Sequence, residues 1–484
     1  MTLSPDQQSA LHKLKEFVQH PQSRVFLLKG YAGTGKTTLI KHLADWLKKK
    51  KISFALMATT GRAAKVLEEK TGYSATTIHS LLYAFTEIKE ETEKPDDDAW
   101  AHDTGQLFLK FDLRADNIES YQLYIIDEAS MISHLEEQKP YTARFGSGNL
   151  LFDLMKYVAS KKIIFTGDPC QLPPVSSDPF SAALDKRYLM ETFRVPVQET
   201  ILTTIVRQNR NSEILQLANP FRTDIETKNF IKWIKINTPR GSQATLLPDE
   251  REWVNHFVRT FRAEGPHHAI IINSSNFHCA RVNKFVRIQL YPGKGTLQHG
   301  ELLMVMQNSY TTGLLNGDQV VVEFVGKKEY RAYLSFIKVR VRNIHNQMVY
   351  ETLLIEDLLY DHNPGIQVSQ FKHLLIDFDR RMRNYKVKRK SDEYRELMLH
   401  DPYLNALRAK FGYGITVHKA QGGEWKDVYL NINKGVYNMP PEQLYRWYYT
   451  AITRAQNHLY INDGFWIKGF DARQYRRVKG FSWE

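Results

Sequence analysis

Cysteine is nearly absent from this chain, with only Cys170 and Cys279 among 484 residues. Neither sits in a CxxC or HxxxH pattern, which argues against a zinc site or a disulfide framework and favours a reducing compartment. No apolar run approaches the ~20 residues that cross a bilayer, and the amino-terminal MTLSPDQQSALHKL lacks the apolar centre of a secretory signal. The expectation is a cytoplasmic protein with no membrane partner, a nuclear location being the alternative. Internal repeats and low-complexity tracts are also missing. Acidic residues are the minority charge: 53 Asp and Glu face 66 Lys and Arg, and the net +13 points to a polyanionic partner or a basic surface. At 42% hydrophobic residues, the chain has enough apolar content for roughly two to four domains.

What is present begins at Gly30–Thr37, which reads GYAGTGKT. A loop that wraps a pyrophosphate needs backbone conformations and close approaches that side chains block, and Gly33 and Gly35 supply them. Lys36 would reach the β- and γ-phosphates, and Thr37 would offer its hydroxyl to Mg²⁺. The preceding RVFLLK suits a buried parallel strand, and Leu39, Ile40, Leu43 and Leu47 have the spacing of a helix that follows.

Other short apolar runs also end in polar motifs: Ser53–Met57 before ATTGRAAK, Leu123–Ile126 before DEAS, and Lys162–Phe165 before TGDPCQLPPV. In an open parallel sheet, ligands sit at the carboxyl ends of strands, so these motifs are expected to share one crevice. A second series, HAIII at 268–272, DVYLNI at 427–432 and HLYI at 458–461 after a helical Glu442–Ala455, reads as a second α/β unit. Tyr83–Lys89 and Gln106–Leu113 flank a polar stretch and predict an inserted β-hairpin, with an acidic surface loop as the alternative. Alternating runs between Gly300 and Tyr360 predict a small β-barrel. The charged Gln370–Arg408 segment reads as helical, and its RRMRNYKVKRK is either a nucleic-acid contact or a solvated face.

Asp127 and Glu128 follow a buried strand, so one carboxylate can hold Mg²⁺ while the other activates a water against the γ-phosphate. Gln171 can read the γ-phosphate through its amide, or simply stabilise a turn before Pro173 and Pro174. Arg207 and Arg454 are candidate arginine fingers for the charge on a transferring phosphoryl group.

The motifs GYAGTGKT, ATTGRAAK, TTIHSLL, IIDEASM, GDPCQLPPV, VRQNR, TVHKAQGGEW and YTAITRA occur in the order found in superfamily 1B DNA helicases, and the chain resembles their RecD and Dda branch. The resemblance spans Gln7 to Arg454 and implies an α/β fold: two RecA-like P-loop domains with ATP between them, an inserted β-hairpin and an inserted SH3-like β-barrel. It divides the chain into a first core at 1–82 and 117–192 carrying a pin at 83–116, and a second core at 193–296 and 409–484 carrying the barrel and its charged helical extension at 297–408. Gln7 would contact adenine and Glu424 the ribose. Gly33, Thr34, Gly35, Lys36, Thr37 and Thr38 would form the phosphate site, and Lys36, Asp127, Glu128, Gln171, Arg207 and Arg454 the catalytic set, with Mg²⁺ on Thr37 and Asp127. Thr60, Arg62, His79, Asn276, Thr416 and His418 lie in motifs that line a DNA channel, although phosphate contacts need only donors and each residue has a structural alternative. Trp100, Phe108 and Phe111 are the wedge candidates, and the acidic EETEKPDDD of the insertion departs from a surface suited to a phosphate backbone.

The implied activity is ATP-driven 5′ to 3′ movement on single-stranded DNA, with duplex unwinding by closure of two RecA-like domains. The implied partners are single-stranded DNA, a DNA fork and a single-stranded-DNA-binding protein, and the implied working form is a monomer. Competing readings are a translocase or protein-displacing remodeller with little unwinding, an RNA-preferring helicase, a non-hydrolytic nucleic-acid-binding module and a metabolite kinase.

Overall fold

The computed structural model describes residues 3–91, 106–114, 121–136, 143–175, 180–206, 212–234, 236, 243–309, 311–361, 363, 365–389 and 391–463. They fall into two compact units, the first drawn from 1–169, 173–210 and 297–410, the second from 170–172, 211–296 and 411–484.

A six-stranded parallel sheet organises the first unit, in the order Ala75–Thr77, Phe54–Ala58, Leu123–Asp127, Lys162–Gly167, Val25–Gly30, Val197–Leu202. Side chains alternate across a strand, so one run feeds two cores. Val25, Leu27, Tyr124, Ile126, Ile163 and Phe165 enter one cluster, while Phe26, Leu28, Leu123, Ile125 and Ile164 enter the other. That double burial is why these strands read as continuous apolar runs. Val197–Leu202 escaped the sequence reading because its VQETIL is largely exposed, as an edge strand tolerates. The expected start of the second core at residue 193 precedes this strand, whose backbone pairs with Val25–Gly30 in the first sheet.

Tyr83–Glu91 and Gln106–Leu113 form the antiparallel hairpin expected at 83–89 and 106–113 from two runs flanking a polar stretch. A short strand, Ala143–Phe145, extends it in parallel beside Leu109–Phe111. Phe111 stacks on Phe145 at 4.7 Å between ring centroids and is only 3% exposed, which makes it a root of the hairpin rather than a wedge that meets bases. Trp100 lies outside the described residues, as does the side chain of Phe108.

The segment expected to be a barrel contains a five-stranded sheet, in the order Val349–Ile355, Leu334–Asn343, Gln319–Arg331, Leu302–Val305, Ala409–Phe411. Its first three pairings are antiparallel. Two helices follow at Val368–Asn384 and Asp392–His400. The sheet is braced to helix Gly61–Thr71, whose first residue must be small because a Cβ on Gly61 would stand 2.3 Å from Leu315 Cβ. Lys65 Nζ lies 2.8 Å from Asp318 Oδ2, and Arg62 donates to Gln319 Oε1 at 2.9 Å. Asp318 also accepts from Asn343 Nδ2 and the Leu315 amide.

The second unit is built on a five-stranded parallel sheet, in the order Ala244–Leu246, Ala455–Asp463, Trp425–Ile432, Ala269–Asn273, Gly414–Thr416. Trp253, Phe257 and Tyr429 fill one face, and helix Pro441–Ile452 buries Leu444, Trp447, Tyr448 and Ile452. That helix stops short of the expected Ala455, with Thr453 as its cap and the Thr453 hydroxyl bonded back to the carbonyls of Tyr449 and Thr450. Among the described residues, no helix is long and apolar enough to cross a membrane.

Because Asp318 is fully buried and ion-paired, its loss strands Lys65 and Asn343 together. Asp318→Ala should lower the stability of the first unit by roughly 3 kcal/mol, measured by denaturant titration with circular dichroism.

Candidate functional site

In the first unit, strand Val25–Gly30 hands directly into the glycine-rich loop. Gly33 and Gly35 adopt left-handed conformations with φ of 78° and 77°, and Gly35 caps helix Lys36–Lys49. A Cβ at Gly35 would also stand 2.3 Å from Gln7 Nε2 and 2.9 Å from Val206 Cγ2. Thr34 is fully buried, and its hydroxyl donates to the Tyr31 carbonyl at 2.8 Å. Lys36 Nζ folds back onto the carbonyls of Gly30 at 2.7 Å and Tyr31 at 3.3 Å. A lysine so placed exchanges weak carbonyl partners for phosphate oxygens at little cost. Thr37 and Thr38 occupy the first turn of the helix, where backbone amides and the macrodipole favour an anion.

Gln7 is 3% exposed, and both ends of its amide are engaged. Its Oε1 accepts from the Ser4 amide at 3.0 Å in a capping box, and its Nε2 donates to the Thr34 carbonyl at 3.0 Å. As placed, Gln7 buttresses the phosphate loop, and a base would have to share that amide.

Two strands along the sheet from the loop, Asp127 ends Leu123–Asp127 at the same carboxyl edge. Burial pushes its carboxyl above the ordinary range, opposed chiefly by the Lys36 ammonium. Glu128 follows in a left-handed conformation with φ of 54°, and its amide donates to Asp127 Oδ1 at 3.0 Å. Left-handed backbone is uncommon outside glycine, which marks Glu128 as a position held by its surroundings. Thr60, one strand further at the same edge, spends its hydroxyl capping helix Gly61–Thr71. Arg62 is 4% exposed in the brace described above, so the structure presents it as a tie rather than as an open cation.

Gln171 groups with the second unit although it follows strand Lys162–Gly167. Its peptide is held by three residues of that unit, two of them on helix Pro441–Ile452. Arg446 donates to the Gln171 carbonyl at 3.1 Å, Gln421 Nε2 donates to the Leu172 carbonyl at 3.0 Å, and the Leu172 amide donates to the Thr450 hydroxyl at 3.0 Å. The side-chain Oε1 of Gln171 is buried without a hydrogen-bond partner among the described residues, a polar atom that a ligand or water would satisfy. Gln421 and Thr450 lie in the TVHKAQGGEW and YTAITRA motifs, but the sequence reading assigned them no role.

Arg454 is 4% exposed, with its guanidinium bonded to the carbonyls of Thr450 and Gly423 and to the Thr453 hydroxyl. A guanidinium has five N–H donors, so these three bonds leave capacity for an anion. Glu424 accepts from Gln456 Nε2 at 3.1 Å. Glu424 and Arg454 precede the amino ends of their strands, whereas Asn276 and Thr416 follow carboxyl ends, which puts the two groups on opposite edges of the second sheet. Asn276 is exposed in the first turn of helix Asn276–Leu290, and Thr416 caps the short helix Val417–Ala420. Arg207 lies outside the described residues.

His79 packs edge-on against Phe145 at 5.3 Å, in the first unit, and His418 lies in the second. Desolvation holds both imidazoles down to about 4, from an ordinary 6.5, so at neutral pH either would meet DNA as an uncharged donor. Between those values the unfolded chain binds more protons than the folded one, and stability falls as pH drops from about 6.5 towards about 4. His79→Gln or His418→Gln should flatten that decline, measured by thermal melts at several pH values.

Residues 2–235 match the family described as an AAA domain, and residues 411–462 match the UvrD-like helicase C-terminal domain. The chain is 24% identical to the uncharacterized protein R530 of Acanthamoeba polyphaga mimivirus, over 96% of this chain and 99% of that protein. It is 24% identical to the ATP-dependent RecD2 DNA helicase of Deinococcus radiodurans, over 95% of this chain but only 48% of that protein. With the RecBCD enzyme subunit RecD of Buchnera aphidicola it shares 25% identity, over 91% of this chain and 70% of the relative. A solved structure of Pif1 helicases addressing unwinding at forked duplex DNA superposes with a TM-score of 0.52 at 16% identity, covering 99% of this chain and 97% of that one, so the two-domain RecA-like fold is common to both. With an AAA domain matched at one end, a UvrD-like helicase C-terminal domain at the other and RecD relatives aligned over nearly the whole chain, this protein is similar to the superfamily 1B helicases of the RecD/Dda-like branch.

Proposed function

We propose that this chain is an ATP-dependent DNA helicase that moves 5′ to 3′ on single-stranded DNA and unwinds duplex. The observation that carries the reading is the carboxyl edge of the first sheet, where a left-handed glycine loop, Lys36 and the Asp127–Glu128 pair occur together. Those are the parts that phosphoryl transfer to water requires.

In the proposed site the loop amides and Lys36 hold the β- and γ-phosphates, and Thr34 and Thr38 flank them. Glu128 accepts the proton of the attacking water, Gln171 orients that water or reads the γ-phosphate, and Arg207 and Arg454 stabilise charge on the transferring group. Thr37 and Asp127 offer hydroxyl and carboxylate oxygens that suit Mg²⁺, which would neutralise phosphate charge there. Glu424 serves the ribose, and Gln7 reports base occupancy through its bond to the loop. Thr60, Asn276, Thr416, His79 and His418 contribute donors to the DNA path, while Arg62 supports it by bracing helix Gly61–Thr71.

The domain plan belongs to the same proposal: two RecA-like cores, the first interrupted by the hairpin, with the antiparallel sheet at 302–355 as the SH3-like insertion. We assign strand Val197–Leu202 to the first core and the hairpin to strand separation. Nucleotide-dependent changes in each unit's grip on backbone phosphates would convert hydrolysis into stepping.

Lys36→Ala removes a charge directed at the transferred phosphate while leaving only backbone carbonyls behind. DNA-stimulated phosphate release should fall by about a hundredfold or more with an unchanged melting transition, and retained turnover would refute the site.

A further inference from the structure

We propose that the basic run from Arg380 to Arg389 is a second nucleic-acid surface, one that takes the phosphate backbone of the duplex ahead of the hairpin. Positions 380–390, RRMRNYKVKRK, contain seven cations and no acid. The run begins in the last turns of helix Val368–Asn384 and continues beyond its end.

Cations near a helix carboxyl end are ordinarily explained by the macrodipole and by local ion pairs. That explanation covers part of the run. Arg381 pairs with Asp377 and Asp401, and Arg383 pairs with Asp379 one turn earlier. Asp379 is then shared by Arg389 at 3.7 Å and by the Tyr394 hydroxyl. Arg380, Lys386 and Lys388 are exposed and not paired to an acid among the described residues. Lys386 and Lys388 lie past the last helical residue, where no i,i+4 acid partner accounts for them. Tyr385, at 74% exposure, stands among these cations, the interleaving of ring and positive charge that suits a nucleic acid.

The placement selects the partner. Phe371, Leu374, Leu375, Phe378 and Met382 form the apolar face of the helix, and the hairpin residues Phe85 and Leu109 pack against the cluster they build. Arg380 lies nine residues beyond Phe371, two and a half turns of helix, and so on the opposite face. The helix therefore rests on the hairpin through one side and displays uncompensated charge on the other. A duplex arm beside the hairpin would meet that charge, whereas the single strand is assigned to the sheet edges that carry Thr60 and Asn276. This inference rests on reading the hairpin as the strand separator.

The test is the full chain carrying Arg380→Glu, Lys386→Glu and Lys388→Glu, titrated by fluorescence anisotropy against a 5′-tailed forked duplex and against the single-stranded tail alone, across a salt series. The fork should bind about tenfold or more weakly, and the slope of log affinity against log salt should shrink by roughly 2 to 3, near 0.9 per lost phosphate contact. Affinity for the tail alone should be unchanged. The neutral triple variant with Gln at the same positions should show a smaller loss in the same direction. Unchanged fork binding, or equal loss for fork and tail, overturns the proposal, the first outcome leaving an acidic protein as the run's partner. Failure of the helicase reading is separately visible, as an unsubstituted chain whose ATP hydrolysis does not respond to single-stranded DNA.

Discussion

A phosphate site of this type is possible only if backbone amides can surround an anion with no Cβ in the way, and the fold is organised around meeting that condition at Gly35. Its φ of 77° would strain any larger residue, and a Cβ there would crowd Gln7 and Val206. Val206 and Gln7 close on the loop from opposite segments, Val206 through its amide to the Gly33 carbonyl at 2.9 Å. The strand feeding this crowded loop is buried on both faces. Asp127 and Glu128 then reach the same edge because parallel strands deliver their carboxyl ends together.

Much of this was legible in the sequence because double burial leaves a direct trace. RVFLLK, LYII and KIIF are apolar without alternation, and each ends in the polar motif that the structure places at the sheet edge. The hairpin was legible for another reason, since its two strand-like runs flank a polar, turn-like stretch. Val197–Leu202 was not, because an edge strand with exposed side chains resembles a loop in composition. Phe111 misled because an aromatic in a hairpin looks the same whether it faces a base or Phe145.

The candidate site was legible only where one residue type performs one task. Glycine at a left-handed turn and lysine after it admit few alternatives. Arginine and histidine are ambiguous, and the structure separates their roles by burial: Arg62 braces a sheet through Gln319, and His79 and His418 are neutral groups in desolvated surroundings. Gln421 and Thr450, which hold the peptide after Gln171, sit in recognisable motifs, but their task was not legible there, because it consists of long-range bonds to a backbone amide and carbonyl.

The central claim is that ATP turnover at this edge drives directional separation of DNA strands. The most direct measurement is single-turnover unwinding of otherwise identical duplexes bearing a 5′ or a 3′ single-stranded tail, with ATP and with a non-hydrolysable analogue. The account predicts strand separation of the 5′-tailed duplex with ATP alone. Preference for the 3′ tail, or separation supported equally by the analogue, would contradict it.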